Sequence, residues 1–284
     1  MKKWMTYMGA GALAFTLSGC GETAQPADDS GDDNAAGTSD LTLEEVFSRS
    51  AEANEGVSSL HADVLTNQFM SMGEAGMEME MEVDLGMDMT VEPLAFYQTA
   101  ETSIVSEDIQ NDNPMTMEMY YTEEGLFTYE PTMDMWIKMP EDSLVGMGDL
   151  MSQDSVDPSE QMDQLHAFQD DFVFEQSTDE YILKLDASGE QFKNLLDEQL
   201  EGTLGQMEIE AQRFLEDMTI HSASYEVFID KETFLTNKMN VKMDIDMNIE
   251  GDTMSILSDI QSTYSQYNEI DAIVVPDEVL EQAE

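Results

Sequence analysis

The chain has 284 residues, with 62 Asp and Glu against 10 Lys and Arg, so its formal net charge is −52. A charge of this sign repels phosphate, which excludes nucleic acid as a partner and excludes electrostatic docking on an anionic membrane. Hydrophobic residues make up 41% of the chain, enough for a folded core. The acids are spread along the whole chain, which favours adaptation to a salty or alkaline medium over a dedicated ion-binding surface.

Residues 1–19 have the features of an export signal. Lys2 and Lys3 precede an apolar stretch from Met5 to Leu17 that is too short to span a bilayer. The following "LSGC" resembles the lipobox of bacterial lipoproteins, which implies that Cys20 is lipidated with acyl chains such as palmitate. Cys20 is the only cysteine in the chain, so it has no disulfide partner here. The resemblance predicts a cell-membrane protein anchored on the extracytoplasmic face through Cys20. A secretory signal with a chance cysteine is the alternative.

Residues 20–40 are predicted to form the lipidated cysteine and an acidic, flexible tether. They are rich in Gly, Ala, Ser and Asp and contain no large apolar side chain. Such a segment does not bury enough surface to offset its ordering entropy. We therefore expect one folded domain over residues 41–284.

The domain opens with a predicted helix in "LTLEEVFSRSAEANEG". Thr42 followed by Glu45 is the pattern of a capping box, in which each side chain bonds the other residue's backbone. Apolar residues then recur at helical spacing, and Gly56 ends the run.

Long runs with a period of two follow, and they predict strands because successive side chains of a strand point to opposite faces. Residues 77–91 alternate almost without a break between methionine or another apolar residue and an acid. In chain order we expect strands at 60–72, 77–91 and 96–105, three within 114–140, a pair within 172–188, a hairpin within 223–252, and a strand at 253–267.

Helices are predicted between and after these strands. They cover "DPSEQMDQLHAFQDD" within 141–170, then "GEQFKNLLDEQL" and "QMEIEAQRFLEDM" within 189–218, and a short segment after Pro276. The sequence therefore predicts an α+β protein.

Three segments carry a resemblance to a known group. They are the lipobox, the opening helix and the hairpin "YEVFIDKETFLTNKMNVKMDIDM". A fourth segment, the ending "YNEIDAIVVPDEV", matches as well. The chain resembles the LolA/LppX-like superfamily of lipoprotein-localisation factors, closest to a Gram-positive lipoprotein branch. The resemblance implies a strongly curved antiparallel sheet, an unclosed half-barrel with helices packed on its concave side. In that superfamily the concave face holds lipid or acyl chains.

Methionine-rich faces of these strands are the candidate site. Three interpretations are open: thioether ligands for Cu(I), filler of an ordinary core, or a deformable apolar cavity. Copper is disfavoured because Val, Leu and Ile share the same faces and no Cys or His is interleaved. The candidate ligand-lining residues are Met77, Met79, Met81, Leu85, Met87, Met89, Met115, Met117, Met119, Met239, Val241, Met243, Ile245, Met247 and Ile249.

No catalytic, metal-binding or cofactor-binding motif accompanies these faces. His61, His166 and His221 are scattered along the chain, and they are interpreted as ordinary polar positions. The sequence therefore predicts a non-enzymatic lipoprotein that binds a lipophilic molecule, and it leaves the ligand and the oligomeric state open. The alternative is a structural or sensory module of the cell envelope that binds proteins and has a filled core.

Overall fold

A computed structural model describes residues 23–27, 39–73, 77–106, 114–140, 171–188, 218–249 and 252–283. These ranges contain twelve strands and two short helices, α1 (Leu43–Asn54) and α2 (Asp277–Gln282). The strands are β1 (Gln25–Pro26), β2 (Ser59–Met72), β3 (Met77–Thr90), β4 (Ala95–Ser106), β5 (Met115–Thr122), β6 (Gly125–Glu130), β7 (Met135–Lys138), β8 (Val173–Gln176), β9 (Glu180–Ser188), β10 (Met218–Asp230), β11 (Thr236–Ile249) and β12 (Asp252–Ser265).

All twelve strands belong to one sheet in the order β1-β8-β9-β10-β11-β12-β2-β3-β4-β5-β6-β7. The sheet is not closed, because β1 and β7 are its two edges. Neighbouring strands are antiparallel except β1, which runs parallel to β8 and makes the sheet mixed. The described part of the chain is thus mainly β, which corrects the α+β prediction. The further helices predicted within 141–170 and 189–218 lie outside the described residues, except for Met218, which begins β10 and does not end a helix.

The register of the strands separates the sheet into two faces. Directly paired residues lie on the same side, and the pairs Met79↔Met70, Met70↔Ile256 and Ile256↔Ile245 show the pattern. This side, which we call the apolar face, carries the odd positions of β3, β5 and β11 and the even positions of β2, β4 and β12. The opposite side, which we call the polar face, carries most of the acids of these strands.

Helix α1 forms where the sequence predicts it and covers one end of the apolar face. Thr42 caps it, and Thr42 and Glu45 form the full capping box. Val46 and Phe47 are buried against Leu183, Val227 and other residues of β8–β10. This contact is the main core at that end of the sheet.

Helix α2 packs on the polar face, so the prediction that the helices lie on one concave side is wrong for this helix. Val275 and Val279 are buried with Phe127 and Trp136, whose side chains leave the sheet on the polar side of β6 and β7. Helix α2 packs there because Phe127 and Trp136 form an apolar patch on the polar side of the sheet, and α2 covers this patch. Trp136 therefore belongs to this cluster and not to the apolar face.

Part of the segment predicted as a flexible tether lies against the sheet. Residues 25–26 pair with β8, and the backbone N–H of Ala27 donates to the carbonyl of Gln176 at 3.0 Å. The buried Gln176 side chain donates to the carbonyls of Ala24 at 2.9 Å and Ser39 at 3.2 Å. These hydrogen bonds to the backbone of the segment compensate for the conformational entropy that it loses when it is ordered. The composition of the segment alone does not provide that compensation.

Candidate functional site

The apolar face carries a row of five methionines across five adjacent strands. Met77, Met72, Met254, Met247 and Met218 follow one another in register from β3 through β2, β12 and β11 to β10. The next row inward consists of Met79, Met70, Ile256, Ile245 and Ile220. Cβ atoms of directly opposite residues lie about 5 Å apart, so each row is a continuous apolar band across the sheet.

The apolar face is packed at one end and open at the other. Around Met89 at the packed end, Leu60, Ala62 and Phe96 are buried together. At the open end Met77 is 67% exposed. The exposure of the methionine side chains of β3 is therefore lowest at Met89, at the packed end, and highest at Met77, at the open end.

The predicted ligand-lining residues share this one face but differ in burial. Met77, Met115 and Met117 are exposed, and Met89 and Val241 are buried. The half-buried ones are Met79, Met81, Leu85, Met87, Met119, Met239, Met243, Ile245 and Met247. Ile249 ends β11 opposite Asp252.

Strands β2, β10 and β12 also place residues on the apolar face, although none of their residues was among the predicted ligand-lining residues. Met70 and Met72 come from β2, Met254 and Ile256 from β12, and Ile220 from β10. The signal was available in part, because 68–72 and 252–256 also place apolar residues two apart. Those runs are shorter and interrupted by polar residues, so they did not stand out.

A hydrogen-bonded polar pair interrupts the middle of the apolar face. Gln68 and Ser258 lie side by side in register, between Met81 and Met243, and the Gln68 Nε2 donates to the Ser258 Oγ at 3.1 Å. Because the Ser258 hydroxyl accepts this bond, its proton remains able to point onto the face. The pair places hydrogen-bonding capacity in an otherwise apolar band.

The two described histidines lie on the polar face beside carboxylates. His61 Nδ1 is 2.6 Å from Asp88 Oδ1, and this hydrogen bond is the main reason that the pKa of His61 is raised. His221 Nε2 is 2.8 Å from Asp246 Oδ2, and Ser255 Oγ donates to the other oxygen of Asp246 at 2.6 Å. The serine bonds the acid and not the imidazole, so the three do not form a nucleophile–base pair.

Within the described ranges, no three His, Cys, Asp or Glu side chains are grouped to hold a metal ion. Neither α1 nor α2 is long and apolar enough to cross a membrane. A cavity of about 960 Å³ is present, but most of its lining comes from the polar face, so it is not the space the methionine faces predict.

These features define a protein built on one large unclosed sheet with an apolar and a polar face. Residues 42–284 match the model of DUF6612, a family of unknown function, and the chain belongs to this family. No curated protein matches the chain.

Some solved structures resemble the fold loosely. LprF from Mycobacterium bovis has a TM-score of 0.41 at 13% identity, covering 82% of this chain and 96% of its own. A DUF1329 family protein from Desulfovibrio piger has a TM-score of 0.25 at 10% identity, covering 81% and 95%. A β-barrel-like DUF1849 protein from Brucella abortus has a TM-score of 0.23 at 8% identity, covering 72% and 99%. Likenesses at this level do not transfer a function.

Proposed function

We propose that this protein is a LolA/LppX-like lipoprotein, anchored at Cys20 on the extracytoplasmic face of the cell membrane, that binds a lipophilic molecule on its apolar face. The observation that carries the proposal is the exposure of methionine side chains on the apolar face. Met72 is 38% exposed and Met117 41% exposed, although both lie on the face that the strands direct away from their acids. A fully filled core would bury such side chains.

The kind of side chain on this face supports an adaptable binding surface. Strands ordinarily favour β-branched and aromatic residues, which pack stiffly on a pleated sheet. Methionine is unbranched and polarizable, and it is over-used where one surface must fit varied apolar partners. Contiguous exposed apolar patches larger than a few hundred Å² are uncommon on soluble monomers and often mark a binding surface. The Met-rich rows therefore favour a lipid or another lipophilic molecule over a single rigid ligand.

The packed and open ends give the bound molecule a direction. An acyl chain would lie along the strands, with its end toward the cluster of Leu60, Met89 and Phe96. The Gln68–Ser258 pair is placed to bond a hydroxyl or ester group partway along the chain. The exposed methionines at the open end of the apolar face would line the entrance.

Organic extraction of the purified protein tests the proposal. The protein is best produced from residue 21 onward, without the lipidated cysteine, because the strand at Gln25–Pro26 is part of the sheet. Mass spectrometry of the extract should find a co-purified lipophilic molecule, and the delipidated protein should take up a fluorescent fatty acid. A protein that yields no such molecule and takes up no lipophilic probe would instead support the envelope module with a filled core.

A further inference from the structure

The polar face is hollowed where it crosses the middle of the sheet. The cavity of about 960 Å³ is bounded by residues of seven strands, from β4 on one side to β9 on the other. We call this cavity the trough. A register shift between Ile220 and Ser222 bends β10 at the wall of this trough.

The floor of the trough has an apolar centre with acidic residues around it. Val105, Glu80, Phe69, Leu257 and Asp244 follow one another in register across β4, β3, β2, β12 and β11. Val105 is 46% exposed and Leu257 48% exposed. Phe69 and Leu257 are direct neighbours and form an apolar step about two side chains wide.

Carboxylates surround this step, and their charges are distributed unevenly. Glu80 and Glu82 stand on the β3 side. On the other side Lys242 Nζ lies 3.2 Å from Asp259 and offsets part of the negative charge there. Glu80 and Glu82 therefore stand beside Phe69 on the side of the trough away from Lys242.

We propose that the trough is a second binding site, separate from the apolar face, for a small organic cation with an apolar body. The ammonium group lies between Glu80 and Glu82, within reach of the Phe69 ring, which favours cations on its face. The apolar body lies over Phe69 and Leu257. A volume near 1,000 Å³ is typical of small-molecule sites.

Charge complementarity selects the cation over other occupants. An anionic or zwitterionic ligand would meet five carboxylates and the single ammonium of Lys242, which Asp259 already contacts. A neutral apolar molecule would gain contact with Phe69 and Leu257. It would also remove water from the neighbouring carboxylates without offering them an opposite charge. Only a cation joined to an apolar group uses both features.

Calorimetric titration with hexyltrimethylammonium tests the site, with hexanol as the neutral counterpart. The full chain is used in a neutral maltoside, and titrations of each probe into detergent alone are subtracted. We expect hexyltrimethylammonium to bind about tenfold more tightly than hexanol, as two partly exposed ion pairs allow. The double variant Glu80→Gln/Glu82→Gln should lose about that factor.

The matched control is Glu78→Gln/Asp84→Asn, which removes two carboxylates from the same strand and the same face on either side of the trough. It should weaken binding less than the Glu80→Gln/Glu82→Gln variant does, because both of its carboxylates stand farther from the ammonium. Leu257→Ser should weaken hexyltrimethylammonium but not tetramethylammonium, because only the longer ion reaches the floor. Equal losses in the two double variants, or equal binding of hexanol and the cation, would overturn the site.

Discussion

The Gln176 Nε2 donates a hydrogen bond to the carbonyl oxygen of Ala24 at 2.9 Å, across 152 positions of sequence. Through this contact the folded domain holds its own N-terminal segment on the edge of the sheet. The Gln176 Oε1 also accepts from the backbone N–H of Ser39 at 2.8 Å, so both ends of the segment between them are fixed to one side chain. Thr23 is three positions after Cys20, a stretch that spans at most about 10 Å. With a lipid on Cys20, the β1–β8 edge would therefore stay close to the membrane.

Replacing Gln176 by alanine should release this segment. Several buried hydrogen bonds are lost together, so we expect the free energy of unfolding to fall by about 1–3 kcal/mol. Amides of residues 24–27 should exchange with solvent faster than in the wild type. The control Gln261→Ala removes an exposed side chain whose bond to Asp259 is long, at 3.4 Å, and it should change stability by less than about 0.5 kcal/mol. Unchanged exchange in Gln176→Ala would show that β1 is held by its backbone alone.

Replacing Cys20 by alanine should abolish anchoring. Without the thiol no acyl group is attached, and two acyl chains are what hold such a protein stably on a bilayer. The variant should move from the membrane fraction to the medium, or accumulate as an unprocessed precursor, when fractions are compared by immunoblot. Normal processing with full membrane retention would refute the lipoprotein assignment.

A charge placed on the apolar face should abolish uptake of a lipophilic molecule. In Met79→Asp an unpaired carboxylate would lie in a row with Met70 and Ile256, at a cost of several kcal/mol to a bound acyl chain. The adjacent Glu80→Gln changes the polar face and should leave uptake of a fluorescent fatty acid nearly unchanged. Met79→Leu keeps the volume and should retain most of the uptake.

Thermal unfolding separates the two interpretations of Met79→Asp. Loss of uptake with a nearly unchanged melting temperature supports a ligand surface, whereas unfolding of the domain supports a filled core. The copper interpretation predicts Cu(I) binding that is lost in Met79→Leu. Retained fatty-acid uptake in folded Met79→Asp would exclude this part of the face as the binding surface.

Salt should stabilise the folded protein. With a formal net charge of −52, carboxylates repel one another across the compact state, and added ions screen that repulsion within about 10 Å at 0.1 M. We expect the melting temperature to rise steadily as NaCl increases from near zero to molar concentration. Differential scanning calorimetry measures this directly, and a flat or falling curve would contradict the interpretation of the acids as salt adaptation.

Raising the pH should remove a contribution of His61 to stability. The hydrogen bond to Asp88 raises the pKa of His61 above its usual 6.5, and Asp63 lies 3.2 Å from the other ring nitrogen. Protonated His61 therefore stabilises the fold fully below pH 6.5, and the effect is lost as the pH rises through the folded-state pKa. For partly exposed pairs we expect less than about 1 kcal/mol.

The variant His61→Gln isolates this effect in denaturant titrations. The stability difference between wild type and variant should be largest near pH 5.5 and should shrink toward about pH 9. A difference that does not depend on pH would show that His61 acts through packing alone.

The sequence by itself determined the local elements. Thr42 and Glu45 specify the start of α1 because a capping box forms between residues three apart. Strict alternation over 77–90 specifies a strand with methionines on one face, since the side-chain period of a strand is two. The turn before β6 was likewise predictable from Gly125, whose φ of 128° favours glycine.

Only the tertiary structure decided which strands far apart in the sequence lie side by side. The methionine row depends on Met72 of β2 pairing with Met254 of β12, and such a contact is not written in any local pattern, whereas the hairpin of β10 and β11 was predicted. For the same reason, the sequence did not predict that β1 pairs with β8 beside Gln176. It also did not predict that α2 packs on the polar face. The trough was not predicted either, because its floor joins Phe69 to Leu257 through the register of β2 and β12, which are far apart in the sequence.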